Sequence, residues 1–141
     1  MQASRVVVVV EQGAEWPNWV AQCSPLPSGS LVVIQEEDER LGDLVQRARE
    51  RCTTSGRFVL AVIACNERAD ERATAARAAL GRALLALSGR LLLTAGAHSS
   101  GRCRCGLSAL AAELSAATDE TRAVASVRFG TEHGVAPRSV A

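Results

Sequence analysis

The chain has 141 residues, of which 48% are hydrophobic and 22% charged, a composition typical of one soluble globular domain. Its formal net charge of +1 favours neither nucleic acid nor a membrane surface as a partner. All 16 basic residues are arginines. Chemistry that needs a lysine, such as a Schiff base or a Walker phosphate-binding loop, is therefore excluded.

The apolar runs in strand-like segments, such as residues 6–10, are too short to cross a bilayer. Because no small-residue cleavage site follows that run, we predict no signal peptide and a cytoplasmic location. The five cysteines are scattered along the chain and indicate no disulfide framework, so we expect free thiols.

Five apolar segments have the composition of β-strands, and most are apolar on both faces. That pattern is typical of strands covered on both sides, as in a parallel sheet. The five predicted strands are residues 5–10, 30–35, 57–64, 90–95 and 123–129.

Helical spacing of apolar residues fills the gaps between these strands. The first predicted helix carries Trp16 and Trp19, which we interpret as core or interface residues. The second begins in an acidic run, residues 36–39, which we interpret as a first turn that complements the helix dipole. The predicted helices are residues 15–23, 38–52, 67–88 and a last one from 103 or 106 to 117.

The third predicted helix has the clearest apolar face, which includes Leu80 and Leu84. We expect Arg72, Arg77 and Arg82 to lie off that face. Asn66 or Asp70 is the expected N-cap and Gly89 the expected stop. The fourth predicted helix has an inner stripe of its own. Its members are Leu107, Leu110, Ala111 and Leu114.

Strands and helices alternate along the whole chain. This order predicts an α/β fold with an open, five-stranded, mostly parallel sheet and helices on both faces, a three-layer Rossmann-like arrangement. We assign residues 1–129 to a single domain. Residues 130–141 have no periodicity and are expected to form a mobile C-terminal tail.

Ligands of such sheets bind beyond the carboxyl ends of the strands. The segment TAGAHSSGRCRCG, residues 94–106, follows the fourth strand and combines glycines, serines and arginines that suit a phosphate. The other interpretation is that these residues only form a turn and a helix start. The candidate phosphate contacts are Gly96, Ser99, Ser100, Gly101 and Arg102.

Two further interpretations concern the same edge of the sheet. His98, Cys103 and Cys105 supply three side chains for a metal or redox-active thiol site, or else are an exposed histidine and free thiols near a helix start. Glu11, directly after the first strand, is a candidate to accept a hydrogen bond from a ribose or base, or is a solvated carboxylate. Cys65, after the third strand, is best interpreted as a small buried hydrophobic residue.

Residues 57–129 resemble the universal stress protein family. RLLLTAGAHSSGRCRCGLSALAAEL is similar to that family's strand, glycine loop and helix start, with Gly96 at the first motif glycine, and VASVRF to its final apolar strand. The second motif glycine falls at Ser99 and the third near Ala109. Glu11 stands where the family has an aspartate.

The resemblance implies a non-enzymatic, regulatory or stress-related binding domain. It implies ATP or AMP as the possible ligand, with binding weakened or lost because the motif is degenerate. It also implies a homodimer that pairs through the last strand. A thiol or metal site and a pure protein-interaction module are the alternative functions.

Overall fold

The fold is an α/β fold built on one five-stranded parallel sheet, as predicted. The computed structural model describes residues 5–15, 26–96, 100–116 and 124–129. The strands, numbered in chain order, are β1 (Val6–Val10), β2 (Leu31–Ile34), β3 (Leu60–Ala64), β4 (Arg90–Ala95) and β5 (Val124–Phe129). They lie side by side in the order β2-β1-β3-β4-β5, and all four pairings are parallel. Val8 of β1, an inner strand, pairs with Val32 of β2 on one side and with Val62 of β3 on the other.

The described elements match the predicted ones to within a few residues at each end. Runs of valine, isoleucine and leucine form the strands because branched side chains pack well on a pleated surface covered on both sides. The described helices are α1 (Leu41–Ser55), α2 (Glu71–Ser88) and α3 (Gly101–Ala116).

Two apolar clusters lie on opposite faces of the sheet. The larger joins Val7, Val9 and Ile63 to the buried faces of α1, α2 and α3. The connections from β2 to β3, from β3 to β4 and from β4 to β5 all move across the sheet in the same direction. Because such connections are right-handed, their three helices lie on the same face of the sheet. The smaller cluster includes Val8 and Val62, and Ala14 and Leu26 pack against it. Most of the predicted first helix, with both tryptophans, and the predicted tail fall outside the described residues.

The ends of α2 follow the predicted signals. The Asp70 side chain accepts a hydrogen bond from the Ala73 N–H at 2.9 Å and so caps the helix. Gly89 ends it in the left-handed region, at φ 72°. The predicted inner stripe of α3 is confirmed, since all four of its residues are buried.

The prediction for the acidic run is wrong. Residues 36–39 precede α1, which begins at Leu41. The last acid of the run, Glu39, instead accepts two hydrogen bonds from Arg47, from Nε at 2.9 Å and from Nη2 at 2.7 Å. The hydrogen bonds from Arg47 hold the pKa of Glu39 below its ordinary value.

Side chains cover main-chain groups on both outer edges of the sheet. On the β2 side, Arg47 Nη2 donates to the Ile34 carbonyl at 2.6 Å. On the β5 side, the Ala125 N–H donates to Ser115 Oγ at 2.9 Å, and the Ser115 hydroxyl donates to the Ala125 carbonyl at 3.0 Å. Such coverage reduces the number of edge groups open to pairing with another chain.

Within the described parts of the chain, no helix combines the length and the apolar character that crossing a membrane requires.

Candidate functional site

The strand order places the expected ligand crevice between β1 and β3. The chain passes from β1 outward to β2 and then returns across β1 to β3, so the direction of winding reverses there. In open parallel sheets, ligands bind outside the carboxyl ends of the strands at such a reversal. The segments that begin with Glu11 and Cys65 flank this point.

A buried ion pair fills this position. Arg77 Nε donates to Glu11 Oε2 at 2.6 Å, and Arg77 Nη2 donates to Glu11 Oε1 at 2.6 Å. The Glu11 side chain is 1% exposed and that of Arg77 is 3% exposed. The pair joins the end of β1 to the middle of α2 in the two-pronged geometry that arginine and carboxylate groups favour.

The loop after β3 closes around the same pair. The Asn66 N–H donates to Glu11 Oε1 at 2.9 Å, and Asn66 Nδ2 donates to the Gln12 carbonyl at 2.9 Å. Arg77 Nη1 donates to the Arg68 carbonyl at 2.8 Å. The segments that follow β1 and β3 are thus held together by side-chain and main-chain hydrogen bonds.

The guanidinium of Arg77 keeps its charge although it is buried. Burial acts to lower the pKa of Arg77, but the hydrogen bonds from its guanidinium to Glu11 raise that pKa above the ordinary value. Among the described residues, every buried side-chain nitrogen and oxygen has a hydrogen-bond partner. The network is therefore complete without a ligand, and this is the condition under which a buried ion pair is tolerated.

The predicted position of Arg77 is wrong, because this residue lies on the buried side of α2 and not off it. The sequence does contain a pattern that predicts the buried position of Arg77. Ala73, Leu80 and Leu84 precede or follow Arg77 by four, three and seven residues, the spacing of one helical face. Glu11, which directly follows the buried valine strand, completes this pattern, because a buried carboxylate needs a partner such as an arginine.

Glu11 is not a solvated carboxylate, which was one of its two interpretations. Its carboxylate is nearly inaccessible, and both oxygens accept hydrogen bonds from Arg77 or Asn66. A ribose or base would have to displace those donors from Glu11 before it could bond to the same oxygens.

The structure places Gly96 at the same edge as Glu11, directly after β4. A β-carbon built on Gly96 would lie 2.8 Å from Cδ of Glu15 and 2.9 and 3.0 Å from the two carboxylate oxygens. A larger residue at this position would require the exposed end of the Glu15 side chain to move aside. The segment after β1 therefore reaches across the end of β3 and sets a negative charge against the start of the candidate phosphate loop.

The rest of the candidate loop is shorter than the sequence suggested. Helix α3 begins at Gly101, so Gly101 and Arg102 belong to its first turn and are exposed. The Cys103 N–H donates to the Ser100 hydroxyl oxygen at 3.1 Å, as to an N-cap. Ser99 and His98 lie outside the described residues.

The two thiols of the C-x-C segment do not share a site. Cys103 is 1% exposed in the core, whereas Cys105 is exposed. Side chains two positions apart on a helix do not face each other. Across the residues that the structure describes, no three histidine, cysteine or acidic side chains are placed to hold a metal ion.

The described residues form an open parallel α/β sheet whose direction of winding reverses between β1 and β3, and the side chains of Glu11 and Arg77 fill that position. Comparison of the chain with protein-family models, curated proteins and solved structures finds no match.

Proposed function

We propose that this protein is a non-enzymatic, regulatory or stress-related binding domain of the universal stress protein type, in which nucleotide binding has been lost. The observation that carries the proposal is the Glu11–Arg77 pair at the winding reversal. The site that such a sheet normally offers to a ligand is occupied by an arginine side chain that belongs to the fold. We keep a cytoplasmic location as part of this proposal.

Two features of the neighbouring loop support the loss of nucleotide binding. The Glu15 carboxylate, which lies against Gly96, repels a phosphate that approaches the end of β4. The early start of α3 leaves only residues 96–100 between strand and helix, and places Ala109, where the third glycine of the family motif would fall, in the middle of the helix. A phosphate would thus meet few main-chain donors in this short loop.

Calorimetric titration with ATP and with AMP, each in the presence of magnesium, tests this proposal. We expect no heat of binding at millimolar nucleotide. Two exposed arginines give a matched pair of variants: Arg102→Ala removes a candidate phosphate contact, and Arg72→Ala removes a similar charge from α2. The proposal would be refuted if the wild type and Arg72→Ala both gave a heat of nucleotide binding and Arg102→Ala gave none, since this result would show binding at the predicted loop.

We propose that a second copy of the chain is one partner, bound along β5. This strand lies at the edge of the sheet, and Val124 is 51% exposed. The Val124 N–H donates to the Gly89 carbonyl, so Ala125 directs its main-chain groups to the outer edge, where Ser115 already bonds them. Main-chain hydrogen bonds between two copies can therefore form only along the part of β5 that follows Ala125. This short pairing predicts a weak dimer whose population depends on protein concentration.

Light scattering across a wide range of protein concentration tests the dimer. Val124 and Ile34 give a matched pair, because they are 51% and 54% exposed on opposite edges of the sheet. We expect Val124→Arg to abolish association and Ile34→Arg to leave it unchanged. A mass that stays monomeric at all concentrations, or equal effects of the two variants, would contradict pairing through β5.

A further inference from the structure

Two buried thiols belong to the same apolar cluster near the carboxyl edge of the sheet, and neither the ion pair nor the proposed binding role uses them. Cys65 is the first residue after β3 and is 2% exposed. Cys103 lies in the first turn of α3 and is 1% exposed. The Cys103 thiol donates to the Asn66 carbonyl, with Sγ 3.8 Å from the oxygen. It therefore contacts the residue that directly follows Cys65.

The hydrogen-bond network holds both thiols in this arrangement. The Cys65 N–H donates to the Thr94 carbonyl at 2.8 Å, which ties the end of β3 to the strand that leads into α3. Asn66, which accepts from Cys103, is itself held by Glu11. The position of Cys103 relative to Cys65 is thus set by the fold on both sides.

The electrostatic surroundings of the two thiols are also shared. Burial raises the pKa of Cys65 and that of Cys103. The guanidinium of Arg77 lowers both pKa values, whereas the carboxylate of Glu11 raises both, and a charge on Cys103 raises that of Cys65. Both thiols are therefore protonated at neutral pH and lie close to one cation.

We propose that Cys65 and Cys103 are an oxidation-sensitive pair, which a peroxide converts into a disulfide that joins the end of β3 to the first turn of α3. This pairing replaces the one suggested by the sequence, in which Cys103 was grouped with Cys105. The proposal is independent of the function proposed above, because it requires neither a nucleotide nor a partner.

The chemistry balances with hydrogen peroxide as the two-electron oxidant. One thiol loses its proton and attacks a peroxide oxygen; the O–O bond breaks, leaving a sulfenic acid and releasing water. The second sulfur then attacks the sulfenic sulfur, an S–S bond forms, the S–O bond breaks and a second water leaves. Two thiols are oxidised and one peroxide is reduced to two waters.

The surroundings set the rate of this oxidation. The reacting species is a thiolate, and burial keeps the thiolate fraction small at neutral pH. We therefore expect slow disulfide formation near pH 7 and faster formation as the pH rises. The reaction also requires brief opening of the first turn of α3, since both sulfurs are inaccessible.

Mass spectrometry of the folded wild-type protein after peroxide treatment is the direct test. We expect a mass loss of about 2 Da under non-reducing conditions, reversed by a reducing agent. Trypsin cleaves after Arg57, Arg68, Arg102 and Arg104, and so separates Cys65, Cys103 and Cys105 into different peptides. The expected product is residues 58–68 joined to residues 103–104.

Variants sharpen this test. Cys105→Ser removes the exposed thiol of α3 and is expected to leave the crosslink intact, whereas Cys65→Ala and Cys103→Ala are expected to abolish it. The wild-type peptide map decides the question even where a core variant folds poorly. A link that involves Cys105, a link between chains, or a gain of oxygen without a link would each overturn the proposal.

Discussion

At the scale of single residues, the most consequential contact is the one between Glu11 and Arg77. The two residues are 66 positions apart in the chain, and each is nearly inaccessible to solvent. A buried ion pair of this kind adds little stability over well-packed apolar residues, but breaking one is costly because a charge is left without a partner. The pair therefore acts mainly to specify how the end of β1 meets α2.

This asymmetry predicts a strongly non-additive pair of substitutions. We expect Arg77→Met alone, or Glu11→Leu alone, to lower the free energy of unfolding by about 3–5 kcal/mol. The double variant should recover most of that loss, since no charge remains buried without a partner. Urea unfolding of the four proteins measures the coupling; additive losses would show that the pair is not isolated from solvent as described.

At the scale of elements, the contact between α2 and α3 depends on a glycine. A β-carbon on Gly81 would lie 2.7 Å from Leu114 Cδ1 and 3.1 Å from Leu91 Cδ2. Glycine in the middle of a helix normally costs about 1 kcal/mol relative to alanine. Here the absence of a side chain lets Leu114 of α3 and Leu91 of β4 pack against the α2 backbone, and this packing offsets the cost.

Gly81→Ala should therefore destabilise the protein although alanine is the better helix former. We expect a loss of about 1–3 kcal/mol from crowding against two buried leucines. Gly106→Ala in α3 is the control, because a β-carbon there meets nothing within 4 Å. That control should gain up to about 1 kcal/mol. Thermal unfolding compares the two; a stabilised Gly81→Ala would mean that Leu114 moves aside freely.

The positions of the described helices and strands were predicted from the sequence to within a few residues. Strand β4 has the predicted bounds, and Asp70 and Gly89 end α2 as their chemistry implies. These features depend on neighbours in the chain, so local spacing is enough. The acidic residues 36–39 were misplaced because a stretch of polar residues before a helix resembles its first turn, and α1 has no side-chain cap to mark its start.

At the scale of the whole molecule, stability is expected to be greatest in the centre of the sheet. Strands β1, β3 and β4 are each paired on both sides, and in β1 the side chains of Val7, Val8 and Val9 are fully buried. Strands β2 and β5 lie at the edges, and each has a partner on one side only among the described strands.

Native-state hydrogen exchange measures this difference. We expect the amides of β1 and β3 to exchange last, near the free energy of global unfolding, and those of β2 and β5 to exchange earlier through local opening. The Ala125 amide is the internal control, since its bond to Ser115 should make it slower than other amides on the outer side of β5. Uniform exchange across all five strands would contradict this ranking.

Apolar periodicity and helix-end signals are local properties of the chain, so they predict the kinds and approximate bounds of the described elements and therefore the parallel α/β class. They also predict that Glu11 and Gly96 lie at one edge of the sheet, since all strands run in the same direction.

The side chains that meet at this edge are known only from the folded arrangement of the strands and helices. The strand order brings Arg77 to Glu11, Glu15 to Gly96, and Cys103 to the residue after Cys65. The physical reason is that periodicity says which face of an element is buried, whereas contact between distant residues depends on the order in which the strands assemble.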